Sequence, residues 1–135
     1  MRSVAALVLL ACLPVAAQAQ QAANITLACN GFSRLMAASD DIKPDPITNI
    51  GIIVSFGDRS VSFDYYRIPI ESVNSTQVAF HGQHQLTYGG MKLKPVTVDG
   101  TIDRVTGSAA IQFMHENVGN NQSWELTCKP ATRLF

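Results

Sequence analysis

Along most of this chain apolar residues recur at every second position, the period of a pleated strand with one face turned to a core. The clearest run is Ile50, Ile52, Val54 and Phe56. Gly57-Asp58-Arg59-Ser60 then reads as a tight turn, and Val61, Phe63 and Tyr65 return with Ser62 and Asp64 facing outward. This predicts a hairpin. Ile53 and Tyr66 add apolar groups to the second face, and Arg67-Ile68-Pro69-Ile70 continues extended, with Pro69 marking an edge or a strand end. After the polar stretch Glu71 to Thr76, Gln77 to His81 predicts a short strand presenting Val78 and Phe80. Gly82-Gln83 turns it into His84 to Tyr88, and Gly89-Gly90 ends that limb. Val96, Val98, Gly100 and Ile102 fit one strand, with Gly100 at a bulge or bend. An Asp99-Gly100 hairpin turn is the alternative, but Asp103 to Gly107 is the better turn, closing with Gly107 left-handed. Ser108 to Met114 returns with Ala109, Ile111 and Phe113 on one face, and His115 to Gln122 is a polar loop.

The two ends of this patterned region match. Ile25, Leu27 and Cys29 share one face of a first strand, and Trp124, Leu126 and Cys128 share one face of a last. Each cysteine therefore points to the side its strand buries. Between Cys29 and the first hairpin, Asn30-Gly31 is a turn signal, and Phe32, Leu35 and Met36 at i, i+3, i+4 predict a turn or two of helix. Asp40 to Pro46, with two prolines, predicts an extended, exposed connector. Lys129 to Phe135 reads as a short tail. The sum is an all-β domain of about seven or eight strands with little helix, a single small antiparallel β-barrel or β-sandwich with adjacent first and last strands.

The leader changes how the cysteines are read. Arg2, the apolar run Val4 to Leu13 and the A-x-A site Ala17-Gln18-Ala19 predict a signal peptide over 1–19 and a mature domain over 20–135. Leu9-Leu10-Ala11-Cys12 offers a competing lipoprotein box that would leave Cys12 lipidated, but the apolar run before it is short for that use. Cleavage after Ala19 removes Cys12 and leaves Cys29 and Cys128, an even pair in an exported chain and hence a disulfide. Of 135 residues, 10 are Lys or Arg and 10 Asp or Glu. That balance argues against nucleic acid, and no basic run suggests an anionic membrane surface.

Gly100-Thr101-Ile102-Asp103-Arg104-Val105-Thr106-Gly107 and Leu126-Thr127-Cys128-Lys129-Pro130, with Pro46-Ile47-Thr48-Asn49 ahead of the first long strand, resemble segments of small exported proteins of proteobacteria. The resemblance implies a periplasmic or secreted setting. It supplies no substrate and no catalytic residues.

Candidate chemistry is sparse. His81-Gly82-Gln83-His84 places two histidines about a turn, with His115 elsewhere, but the spacing matches no established metal motif. Asp40, Asp41 and Asp45 lack the pattern of a calcium loop. Asp64, Glu71, Asp99, Asp103, Glu116 and Glu125 are acid/base candidates with no cleft established by linear order. No G-x-S-x-G, phosphate loop or H-E-x-x-H occurs. The aromatic set Tyr65, Tyr66, Tyr88, Phe80, Phe113 and Trp124 either fills a core or lines an apolar cavity, and filling is the commoner use in small barrels. Asn24, Asn74 and Asn121 begin sequons that matter only in a eukaryotic secretory pathway. The expected function is a non-enzymatic exported binding module for a small apolar ligand or an envelope protein, with no cofactor, metal or catalytic residue assigned. The alternative is a protein inhibitor or envelope stress factor of lysozyme-inhibitor type, and a small hydrolase comes third.

Overall fold

Eight strands close on themselves in the computed structural model, which describes residues 23–131. In chain order they are β1 (Ile25–Leu35), β2 (Asp45–Ser55), β3 (Ser60–Phe63), β4 (Tyr66–Val73), β5 (Gln77–His84), β8 (Val96–Asp103), β9 (Ser108–Met114) and β10 (Gln122–Pro130). Two short strands, β6 (Thr87–Tyr88) and β7 (Met91–Lys92), form a separate hairpin between β5 and β8. Around the barrel the order is β1-β10-β9-β8-β5-β4-β3-β2, with every neighbour antiparallel. The fold is therefore all-β and a closed barrel rather than a sandwich.

The seam is the pairing of first strand with last. Cys29 lies directly opposite Cys128, and their sulfurs are 2.08 Å apart, at disulfide distance. Both side chains are buried. The ladder runs from Leu27↔Pro130 to Leu35↔Gln122, so closure extends well beyond the cysteines.

Alternating inward residues supply the core. Ile52 and Val54 of β2, Val61 and Phe63 of β3, Val96, Val98 and Ile102 of β8, and Ala109, Ile111 and Phe113 of β9 are all buried, as the period of two predicts. Phe63 is the hub of the aromatic packing. Its ring centroid lies 5.4 Å from that of Tyr66, 6.1 Å from Phe80, 6.2 Å from Phe113 and 6.0 Å from Trp124. The middle of the barrel is a filled core, not a channel.

Five local expectations are corrected. The helix over Phe32, Leu35 and Met36 is absent, because β1 runs on to Leu35, paired with β10 on one side and with β2 on the other. Gly31 is no turn residue. A Cβ there would stand 1.9 Å from the Glu125 carbonyl oxygen, so only glycine lets β1 lie this close to β10. The hairpin limb does not run through Tyr65 but turns at Asp64-Tyr65, where Asp64 takes φ 49° and Phe63 faces Tyr66. Asp tolerates that left-handed backbone because its short side chain bonds locally. The turn exchanges the two tyrosines: Tyr66 is buried and Tyr65 is 62% exposed.

Gly82-Gln83 is not a turn either, since β5 continues to His84 against Val96. The reversal comes at Gly89-Gly90, both with positive φ, at the tip of the β6–β7 hairpin. Nor does Gly100 form a bulge. The β5–β8 and β8–β9 ladders pass through it without a shift, and a Cβ there would lie 2.0 Å from the Phe80 ring. Its missing side chain is the space that Phe80 fills. The Asp103–Gly107 turn is as expected, with Gly107 at φ 77°. Pro69 sits in β4 opposite Ser60, and the β4–β5 ladder begins only beyond it, at Ile70↔Phe80. The expected signal peptide over 1–19, with Cys12, and the last four residues lie outside the described residues.

Two measurements check this account. Replacing Cys29 and Cys128 together by serine removes a link across 99 positions. It should lower the denaturant-derived stability by about 4–5 kcal/mol on the chain-entropy account, with the strand signature retained in circular dichroism. Gly100→Ala should cost about 1–3 kcal/mol because Phe80 must move. Gly51→Ala, where nothing lies within 4 Å, should stay within about 0.5 kcal/mol.

Candidate functional site

β1 begins, and β10 finishes, at the same end of the barrel, together with the turns joining β2 to β3, β4 to β5 and β8 to β9. We call this the proximal end. Here the inward residues are short: Leu27, Val54, Val78 and Ile102. With Phe56 above them they line a recess of about 420 Å³, within the range of small-molecule sites. Cys128 contributes to its wall, so one half of the cysteine pair borders the recess.

The rim is fixed by Asp103 and Arg104 in the turn between β8 and β9. The Asp103 carboxylate accepts hydrogen bonds from the backbone N–H of Val105 and of Thr106, each at 2.8 Å. These bonds hold its pKa below the usual carboxylate range. Arg104 reaches across to the β4–β5 turn. Its N–H donates to the Thr76 carbonyl at 2.7 Å, and its Nη1 donates to the Asn74 carbonyl at 2.5 Å. Its guanidinium lies 5.8 Å from the ring centroid of Phe56 in the β2–β3 turn. One residue thus links its own turn to two others. Lys129 also lines the recess. Chemically this is an apolar chamber with Arg104, held by its hydrogen bonds, and Lys129 at its lip.

The residues singled out from sequence are scattered. His81 faces Asp99 across β5 and β8 on the outer wall, and its Nδ1 donates to Asp99 Oδ1 at 2.5 Å. That bond and the Asp99 charge raise the His81 pKa above its ordinary value, with a smaller contribution from Glu71. His84 instead packs on Tyr66, with ring centroids 4.8 Å apart, at the opposite, distal end. His115 lies in the loop before β10, where its N–H donates to Asn121 Oδ1 at 2.7 Å. Among the described residues no group of three His, Cys, Asp or Glu side chains is placed to hold a metal.

Asp40 and Asp41 lie in the exposed connector, and Asp45 begins β2. Asp64 is in the two-residue turn, Glu71 and Glu125 are exposed, and Glu116 pairs with Lys94. These carboxylates do not converge in a cleft. Of the aromatics, Tyr66, Phe80 and Phe113 are core, Trp124 is partly buried, and Tyr65 and Tyr88 face out. Burial pushes the Tyr66 phenol pKa up, and its contact with Tyr65 adds to the shift. None of the six lines the recess. Sequence reasoning missed Arg104 and Lys129. The signal available was a cation inside a turn that closes one end of a barrel, next to aliphatic inward positions.

The His81–Asp99 pair gives a direct check. Titration of His81 followed by NMR should give a pKa above about 6.5, and Asp99→Asn should bring it back toward that value. The pair's contribution to stability should be fully present below the ordinary histidine pKa and disappear as the pH rises through the raised one.

No family model matches the chain, and neither a curated protein nor a solved structure is significantly similar to it.

Proposed function

We propose that this protein is a non-enzymatic binding module of the bacterial envelope, periplasmic or secreted, that holds a small apolar ligand in the proximal mouth of its barrel. The observation that carries this is the aliphatic recess over Leu27, Val54, Val78 and Ile102, the part of the interior that side chains leave unfilled. The exported setting is supported by the leader pattern over 1–19, by the resemblance to small exported proteins of proteobacteria, and by the cysteines at disulfide distance. Among the described residues no helix is long and apolar enough to cross a membrane. The non-enzymatic reading is supported by the recess itself, whose carboxylate, Asp103, is occupied by its own turn. The histidine–carboxylate pair His81–Asp99 stands on an exposed wall.

A protein partner, including a lysozyme, would use a different surface. Tyr88, Met91 and Leu93 around the β6–β7 hairpin are exposed at 75%, 66% and 47%. Their display is held by the Leu93 N–H bonded to the Leu86 carbonyl and by Gln85 Nε2 bonded to the Leu93 carbonyl.

Fluorescence titration with the apolar probe N-phenyl-1-naphthylamine separates the two surfaces. Binding at one site per chain is expected. Ile25→Trp, a bulky group at the recess lip, should weaken it at least tenfold, and Tyr88→Ser should leave it unchanged. Equal binding by the Ile25→Trp variant, or loss on Tyr88→Ser, rejects the recess as the site. Inhibition of a lysozyme that Tyr88→Ser abolishes would replace the small-ligand reading by the inhibitor one.

A further inference from the structure

An apolar recess alone does not say which end of a ligand enters first. The charges at its lip do. Three charged residues border it: Asp103, Arg104 and Lys129. Asp103 stays ionised, but its carboxylate is engaged by two backbone N–H groups of its own turn, so the lip carries two cations against one anion that is already hydrogen-bonded. Arg104 and Lys129 form no ion pair among the described residues. The Arg104 guanidinium carries five N–H donors, of which the bond to the Asn74 carbonyl uses one. Arg104 is exposed, and its guanidinium stands 5.8 Å from the ring centroid of Phe56, a residue that also lines the recess.

We propose that the recess binds an amphipathic anion, a small carboxylate with an aliphatic or aromatic body. The body lies on Leu27, Val54, Val78 and Ile102, and the carboxylate is held by Arg104 with Lys129 beside it. This rests on the recess being the ligand site and adds the chemical class of the ligand. A carboxylate suits the lip because a guanidinium presents two parallel donors to its two oxygens. A cationic amphiphile would bring its head against two like charges, and a neutral alcohol offers the guanidinium one uncharged oxygen in place of two that share a negative charge.

The test uses three probes with the same chain and different heads: decanoate, decanol and decylamine, each titrated by calorimetry at neutral pH against the whole protein. Decanoate is expected to bind at least tenfold more tightly than decanol, and decylamine more weakly than either. Arg104→Gln should abolish the preference for decanoate over decanol while leaving decanol binding in place, and Lys129→Gln should reduce it. Retained decanol binding in the same variants shows that they are folded. Equal binding of decanoate and decanol to the unmodified protein overturns the anion assignment but leaves the apolar site standing. No binding of any of the three overturns both. Because an anionic head also occurs on membrane lipids, co-sedimentation with phosphatidylglycerol vesicles forms a further arm. Sedimentation with vesicles in the absence of decanoate binding overturns the assignment of a free ligand.

Discussion

β1 and β10 are each left with an exposed edge of backbone donors and acceptors unless they find one another. An open edge of this kind is a site for pairing with other chains. Closing it requires the two ends of the domain to meet across nearly the whole sequence, a loop whose closure entropy must be met before the contact gives anything back. The link between Cys29 and Cys128, separated by 99 positions, acts on that step. It removes from the unfolded chain most of the freedom that closure would otherwise cost. The cysteines are opposite one another only in one register of the β1–β10 ladder, and in that register both are buried. A slip by one residue would turn a whole strand face inside out. The bond therefore fixes register as well as proximity. Gly31 serves the same contact from the backbone side by letting the β1 chain sit against Glu125.

With the wall closed, the size of inward side chains decides where space remains. Toward the distal end the interior carries Phe63, Tyr66, Phe113 and Trp124 in mutual contact. Phe80 occupies the middle, in the space that Gly100 leaves open. At the proximal end the same inward parity falls on leucine, valine and isoleucine, which form the apolar lining of the recess. The recess follows from this taper in side-chain volume along an otherwise regular barrel.

Strand content, alternation and the cysteine pair were legible because each rests on a period of two that the sequence displays directly. What failed were positions where one residue serves two grammars. Phe32 and Leu35 satisfy helical spacing, but in the extended β1 they fall on opposite faces, and pairing on both sides overrode the local pattern. Gly82 and Gly100 carry the letter of a turn but sit inside strands, where glycine makes room for Pro69 and Phe80. Asp64-Tyr65 turns the chain without a glycine, so the reversal was hidden and the two tyrosines were assigned to the wrong faces. The recess was not legible at all, because its lining comes from strands far apart in sequence that only closure brings together. Arg104 read as one residue of a hairpin turn, and nothing local says that the turn hangs over an apolar mouth.

That placement of Arg104 has a thermodynamic consequence. Its backbone is held by Thr76, its guanidinium by Asn74 and Phe56, and its neighbour Asp103 by the turn. A side chain already fixed in this way loses little further rotamer freedom when a ligand arrives, so more of the interaction appears as affinity. The same mouth includes Cys128, so any ligand seated there touches the wall that closure creates. A species that binds only the closed barrel stabilises it by mass action. If the recess is the ligand site proposed above, its occupancy and the integrity of the β1–β10 seam are linked, each favouring the other.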